Sequence, residues 1–298
     1  MATLVIYHSP CADGLASAWC FTNFHVQVNF EPYNYNKEPP KDVSGYKYVY
    51  IVDFSFEAEV IKRMTEQVEK KVIVLDHHKT ACEKLEKLSR KRNKKLDIVL
   101  DMTRAGCQIT WDYLCEKFDN IKRRPMFIEY IADRDLWTWK LPYSREVNTA
   151  MHHNKYLTFE KFDNMYIDWL TNFDMLRKKG KEIIQFNETM MRKILWSSVI
   201  VELRGIKMLA INSTILISEL GNMGIEKCVP KTNIVLIWRY NKKEGEYECS
   251  IRTNENVDAT VVSGLFGGGG HARAAGFSYK GDLLNEMKYI ENIKYIEK

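Results

Sequence analysis

The chain reads as an α/β protein, with an N-terminal parallel-sheet domain joined by a helical connector to a smaller α/β C-terminal domain. Three observations predict this. Short apolar runs alternate with amphipathic stretches through the first half, the pattern of a parallel sheet with crossover helices. A helical pattern then occupies residues 142–196, of which 175–195 makes one long connecting helix. After Trp196 the texture returns to short strands. At 298 residues the chain exceeds the common size of one domain, so two cores are expected, with boundaries at 1–172, 173–197 and 198–298.

The first-half strands share a feature that periodicity does not require: each runs into a metal-capable side chain. Residues 4–7 lead to His8, 48–52 to Asp53, 72–75 to Asp76-His77-His78, and 98–100 to Asp101. The carboxyl ends of parallel strands lie along one edge of a sheet, where such folds bind ligands, so these side chains are expected to converge. Helices at 14–24, 57–69, 80–91 and 106–118 carry apolar residues at helical spacing and serve as crossovers. A further helix over 126–132 ends at Asp133-Arg134-Asp135. Acids at i and i+2 do not share a helix face, so only one of the two is expected at a common site.

In the second half, strands are expected at 199–203, 207–211, 233–240 and 247–253, the last two joined as a hairpin through residues 241–245. Helices fit 218–227 and 257–265, and a charged helix is expected from Asp282 onward. Between them runs Gly267-Gly268-Gly269-Gly270-His271-Ala272-Arg273. Four successive glycines cost chain entropy, so a purely structural loop explains them poorly. Bare backbone admits a ligand closely, and His271 and Arg273 add cationic donors suited to phosphate oxygens.

Taken alone, Asp76-His77-His78 is either a cation or proton site or an ordinary polar strand end. Asp13, five residues after His8, is either a helix cap or a ligand, and the company of His8 favours the ligand. Donors of the Asp and His type suit manganese, magnesium or zinc, and one carboxylate can bridge two ions. With a glycine-rich anion cradle in the second domain, the chemistry indicated is metal-assisted phosphate hydrolysis. His152-His153 reads as packing or surface, because adjacent helical residues face different ways. The basic run 84–95 reads as a solvated face.

These motifs together resemble the DHH phosphoesterase superfamily, in the branch with the DHH-associated C-terminal domain. They are His8 through Asp13-Gly14, Asp53, Asp76-His77-His78, Ala132-Asp133, Gly268-Gly269-Gly270-His271 and Ala274-Ala275-Gly276. The resemblance implies a catalytic DHH domain, a substrate-binding second domain, and two manganese ions, with magnesium, cobalt or zinc as substitutes. It implies His8 and Asp53 on one ion, and Asp13, Asp53, His77 and Asp133 on the other. It also implies His78 toward the substrate with Asp76 supporting the imidazoles, and Arg252, Gly268, Gly269, Gly270, His271 and Arg273 on the substrate. One position departs from the pattern: Cys11 stands where the family's first motif has a carboxylate. The thiolate is a ligand of a softer site, or the sulfur is inert and the site weak, or catalysis is lost.

The implied substrates are short oligonucleotides or small nucleotides. A RecJ-like single-strand exonuclease and a nucleotide-sequestering protein impaired at Cys11 are the alternatives. The first is disfavoured because 298 residues leave no room for an added oligonucleotide-binding domain. The formal charge of +5 suits an anionic ligand without requiring long nucleic acid. No basic, apolar leader and no apolar stretch of membrane-spanning length is present, so a cytoplasmic location without membrane partners is expected. Seven cysteines without a C-x-x-C pair read as reduced thiols.

Overall fold

A computed structural model describes residues 3–24, 27–34, 37–90, 93–119, 122–153 and 158–295. Lys91, the expected end of the third helix, and residues 296–298 of the expected terminal helix lie outside the described residues. The chain divides into two compact units that meet between Ile184 and Gln185.

The first unit runs β1 (Thr3–His8), α1 (Ala12–Cys20), β2 (Val28–Tyr33), β3 (Tyr48–Val52), α2 (Ala58–Gln67), β4 (Lys71–Asp76), α3 (Lys79–Ser89), β5 (Leu96–Leu100) and α4 (Gly106–Lys117). Helices α5 (Met126–Asp135), α6 (Ser144–His152), α7 (Phe159–Thr171) and α8 (Phe173–Trp196) follow. All five strands are parallel, in the order β2-β1-β3-β4-β5. Alternate residues feed two separate cores. Val5, Tyr50, Val52, Ile73 and Leu75 pack with α1, α4 and α5 on one face, and Leu4, Ile6, Ile51, Val72 and Val74 pack with Ile61, Met64 and Leu85 of α2 and α3 on the other. Burial on both faces is why these strands read as unbroken apolar runs, each such side chain contributing about 1.5–3 kcal/mol. A polar residue then marks the strand's end.

Strand β2 is absent from the sequence expectation. It occupies the sheet edge, where Pro32 costs no ladder hydrogen bond and a mostly exposed face needs no apolar run. The expected helical stretch 142–196 is three helices. The division between units falls inside α8, not at either end of it.

The second unit contains β6 (Val199–Leu203), β7 (Ile206–Asn212), α9 (Ile217–Lys227), β8 (Cys228–Val229), β9 (Ile234–Asn241), β10 (Glu246–Thr253) and α10 (Ala259–Gly264). It ends with β11 (Gly269–His271), β12 (Ala274–Tyr279), α11 (Leu283–Glu286), β13 (Lys288–Asn292) and β14 (Lys294–Tyr295). Seven strands form one sheet in the order β11-β12-β10-β9-β7-β6-β13, and β8 pairs with β14. Its core joins Val201, Met208, Leu236, Ile251 and Phe277 under α10.

Two expectations are corrected here. The terminal segment is not a long helix: after α11 it forms β13, antiparallel to β6. Strand β6 pairs with β7 on one side, and its other edge offers an open row of backbone donors and acceptors that Lys288–Asn292 fill. The glycine run, poorly explained as purely structural from the sequence, does have a structural role, because Gly269 to His271 pair with Gly276 to Ala274. A Cβ on Gly268 would stand 2.1 Å from the Gly276 carbonyl oxygen, and Gly270 adopts a φ of 143°. The fold itself demands glycine at these positions.

Candidate metal centre

Strands β1, β3 and β4 lie side by side, so His8, Asp53 and Asp76-His77-His78 leave adjacent strand ends. Asp53 caps the end of β3 in the left-handed region, φ 61°, with its amide donating to the Leu75 carbonyl at 2.9 Å. This turn directs the carboxylate between its neighbours. Asp53 Oδ1 is 3.1 Å from His77 Nε2, and Oδ2 faces His8 Nδ1 at 3.6 Å.

Asp13 enters from the first turn of α1, which approaches β1 closely enough that a Cβ on Gly14 would stand 2.2 Å from the His8 carbonyl oxygen. It does not cap its own helix. Its two oxygens accept from Gly106 N at 2.6 Å and Cys107 N at 2.9 Å, at the amino end of α4. Those amides and the positive end of the helix dipole fix the carboxylate. Asp13 Oδ2 lies 3.6 Å from His77 Nε2.

Asp76, wholly buried, organises the turn. It accepts from Ser55 Oγ (2.7 Å), His77 N (2.7 Å) and His78 N (3.1 Å), and it holds His78 Nδ1 at 2.8 Å. Burial opposes its ionisation, but His78 and Ser55 outweigh that and lower its pKa. Burial likewise opposes a charged His78, and Asp76 raises its pKa in spite of it. With Nδ1 committed to Asp76, Nε2 is the nitrogen left for other chemistry.

Two expected placements are corrected. Asp133 does not join the group. Its carboxylate accepts from Thr138 Oγ1 (2.5 Å), Lys140 N (2.8 Å) and Leu141 N (3.2 Å), tying down the loop that follows α5. Asp135 takes the place beside the imidazole, with Oδ2 3.5 Å from His77 Nε2. Helix α5 continues to Asp135, so the two acids leave its last turn in different directions. Asp101, at the end of edge strand β5, accepts from Thr103 and Arg104 instead of converging with the others.

Within the first unit, donor atoms form the triads His8-Cys11-Asp53 and Asp13-Asp53-His77, each within 4.8 Å, and Asp53 belongs to both. Asp53 Oδ2 and Asp135 Oδ2 are buried without a hydrogen-bond partner among the described residues. Buried carboxylate oxygens are rarely left so. Burial works against a charged Asp53, yet its hydrogen bond with His77 and the charges of His77 and His8 hold its carboxyl well below the usual range. Burial, with Asp53 and Asp135 as like-charged neighbours, pushes Asp13 well above it. Burial also raises Asp135. His77 is raised to about 10, because Asp53, Asp135 and Asp13 outweigh its burial. A protonated imidazole partly neutralises crowded acids here, and the residues fit divalent cations that would do so more fully.

Cys11, half-buried, stands at the amino end of α1. Burial pushes its thiol well above the usual range, helped by Asp53, Asp135 and Asp13. In the second unit, Arg252 of β10 pairs in register with Ala274, beside the His271-Ala272-Arg273 turn. Its guanidinium donates to Ser218 Oγ at 2.9 Å, at the start of α9. His271 is half-buried and Arg273 exposed. Sequence reasoning missed Ser55 and the amides of Gly106 and Cys107. It also missed the loop after Asp135, where Trp137, Trp139 and Tyr143 all have left-handed backbone, φ 56°, 52° and 56°.

No protein-family model matches the chain. It is similar to an uncharacterised protein of Acanthamoeba polyphaga mimivirus, 29% identical over 93% of this chain and 68% of that protein. It is also similar to the oligoribonuclease NrnB of Bacillus subtilis, 24% identical over 82% of this chain and 62% of that protein. The chain thus spans roughly two thirds of these curated relatives' length. Among solved structures it is similar to RecJ of Thermus thermophilus in complex with Mn2+, with a TM-score of 0.49 at 13% identity, covering 93% of this chain and 49% of that one. It is similar too to the pGpG-specific phosphodiesterase PggH of Vibrio cholerae, with a TM-score of 0.45 at 13% identity, covering 94% and 93%. No helix is long and apolar enough to cross a membrane among the described residues.

Proposed function

We propose that the chain is a metal-dependent phosphoesterase of short oligonucleotides or small nucleotides, belonging to the DHH phosphoesterase superfamily that its motifs resemble. The observation that carries this reading is Asp53, a buried carboxylate whose two oxygens face two donor triads. Asp13, Asp53, His77 and Asp135 would hold one divalent ion, and His8 and Asp53 the other, with Cys11 beside it. Bound there, a pair of ions such as manganese supplies a lowered pKa for water and neutralises charge growing on phosphoryl oxygens.

The protein's own groups do the rest. The amides of Gly106 and Cys107 keep Asp13 aimed inward, so the acids need no reorganisation when substrate arrives. Asp76 orients the His78 ring through Nδ1, and His78 Nε2 holds the proton that goes to the leaving oxygen. Arg252, His271 and Arg273 take the phosphate or nucleotide end of the substrate, and the bare backbone at Gly268, Gly269 and Gly270 lets it come close. NrnB's name supports the choice of short RNA as substrate.

The purified chain with manganese should cleave labelled di- to pentanucleotides, a cyclic dinucleotide or 3′-phosphoadenosine 5′-phosphate in preference to long single-stranded DNA. Cleavage should be lost in His77→Ala. Metal binding without turnover of any of these substrates would refute the hydrolase reading, and preference for the long strand would favour an exonuclease.

A further inference from the structure

Resting on the reading of this cluster as a metal centre, we propose that Cys11 is itself a ligand. The group His8-Cys11-Asp53 would then be a thiolate site for a borderline-soft divalent cation, namely zinc, ferrous iron or cobalt. Two independent observations carry it. The sulfur, an imidazole nitrogen and a carboxylate oxygen come within 4.8 Å of one another. Separately, Asp53 Oδ2, on a residue only 1% exposed, has no hydrogen-bond partner among the described residues and only an ion-pair contact with His8 Nδ1 at 3.6 Å. A buried carboxylate oxygen of this kind suits a ligand, and Cys11 belongs to the same group of donor atoms as Asp53 and His8.

On ligation the S–H bond breaks, the proton goes to solvent and the sulfur lone pair enters the metal–sulfur bond; nothing is oxidised or reduced. One imidazole, one thiolate and one carboxylate leave a fourth position of a tetrahedral site open. Thiolate ligation discriminates against manganese and magnesium, whereas the neighbouring Asp13, Asp53, His77 and Asp135 set is richer in oxygen and suits them. Two unlike ions sharing Asp53 are the outcome.

The test uses the full chain stripped of metal and titrated with cobalt, following bound metal by equilibrium dialysis and thiolate-to-cobalt charge transfer by near-ultraviolet absorption. The expected result is a charge-transfer band that is lost in Cys11→Ser, kept in Cys115→Ser, displaced by zinc and not displaced by equal manganese. Cys11→Asp should shift the zinc-over-manganese preference of that site by about tenfold or more toward manganese. Should Cys11→Ser fail to fold, zinc protection of Cys11 against alkylation in the unsubstituted chain, read by mass spectrometry, replaces it. Cobalt that binds without a band, a band that survives in Cys11→Ser, or alkylation indifferent to zinc would overturn the thiolate ligand and leave the metal centre standing. Absence of any bound cobalt would overturn both.

Discussion

Replacing Asp133 by alanine should cost the first unit stability, and replacing Asp135 by asparagine should cost it a cation. Asp133 is 6% exposed and accepts from Thr138 Oγ1, Lys140 N and Leu141 N. Asp133→Ala strands two backbone amides at roughly 1–3 kcal/mol each, so the loss is about 4 kcal/mol. For a unit of this size that lowers the melting temperature by roughly 10 °C. The loop it secures holds Trp137, Trp139 and Tyr143 in the left-handed region, a conformation that persists only where surrounding contacts over-determine it. Tryptophan emission should therefore shift in Asp133→Ala even below the melting transition.

Asp135→Asn removes a carboxylate crowded against Asp53 and Asp13, so the metal-free chain should melt no lower than the parent. Its defect should appear only with metal. At about a hundredfold over the dissociation constant, a bound ion adds about 2.7 kcal/mol to the parent, and most of that gain should vanish in Asp135→Asn. Thermal melts of the three proteins with and without manganese, together with metal analysis, separate the two roles. The assignment is refuted if Asp133→Ala melts like the parent but loses metal, while Asp135→Asn keeps the metal-dependent shift.

Ser55→Ala removes the 2.7 Å bond to buried Asp76; it should lower kcat several-fold through a loosened His78 with KM nearly unchanged, and cost about 1 kcal/mol of stability. Gly106→Ala places a Cβ 2.9 Å from Asp53 Cβ and 3.0 Å from Asp13 Oδ2; although residue 106 supplies no side-chain ligand, cation affinity measured by calorimetry should fall at least about tenfold. Asp101 is held at about 2, chiefly by the Thr103 hydroxyl with Arg104 assisting against burial. Its folded value lies below the unfolded value of about 3.9, so its contribution is complete above pH ~4 and is lost as pH falls through ~2. With the side chain 27% exposed, solvent screening limits this to about 1 kcal/mol; Asp101→Asn should lower the melting temperature at neutral pH and leave it unchanged only near pH ~1, below both pKa values.

The strand ends were the legible part of this chain for a physical reason. A parallel strand covered by helices on both faces must be apolar at every position, so its first polar residue shows in the sequence without knowledge of the fold. His8, Asp53 and Asp76 were found that way. Asp101 obeys the same pattern, yet it ends an edge strand and turns to Arg104, because a run of residues records a strand's burial but not its neighbours. The choice between Asp133 and Asp135 was equally hidden. It depends on where α5 stops and on which carboxylate the following loop claims, and that loop has left-handed tryptophans that no propensity would place there.

The glycine run shows the converse ambiguity. Glycine is called for when a ligand must approach the backbone and also when another strand must, and Gly268 against the Gly276 carbonyl is the second case. The two demands are not exclusive. A hairpin that needs glycine for its own packing also presents an unshielded backbone at its edge, next to the turn bearing His271 and Arg273. The fold and the proposed binding role would thus select the same residue there. Cys11 is different: the close approach of α1 to β1 is met by Gly14 three residues later, and no packing requirement of that kind explains a thiol beside a carboxylate oxygen without a hydrogen-bond partner among the described residues. At that position the chemistry of the side chain, and not the shape of the fold, is the informative property.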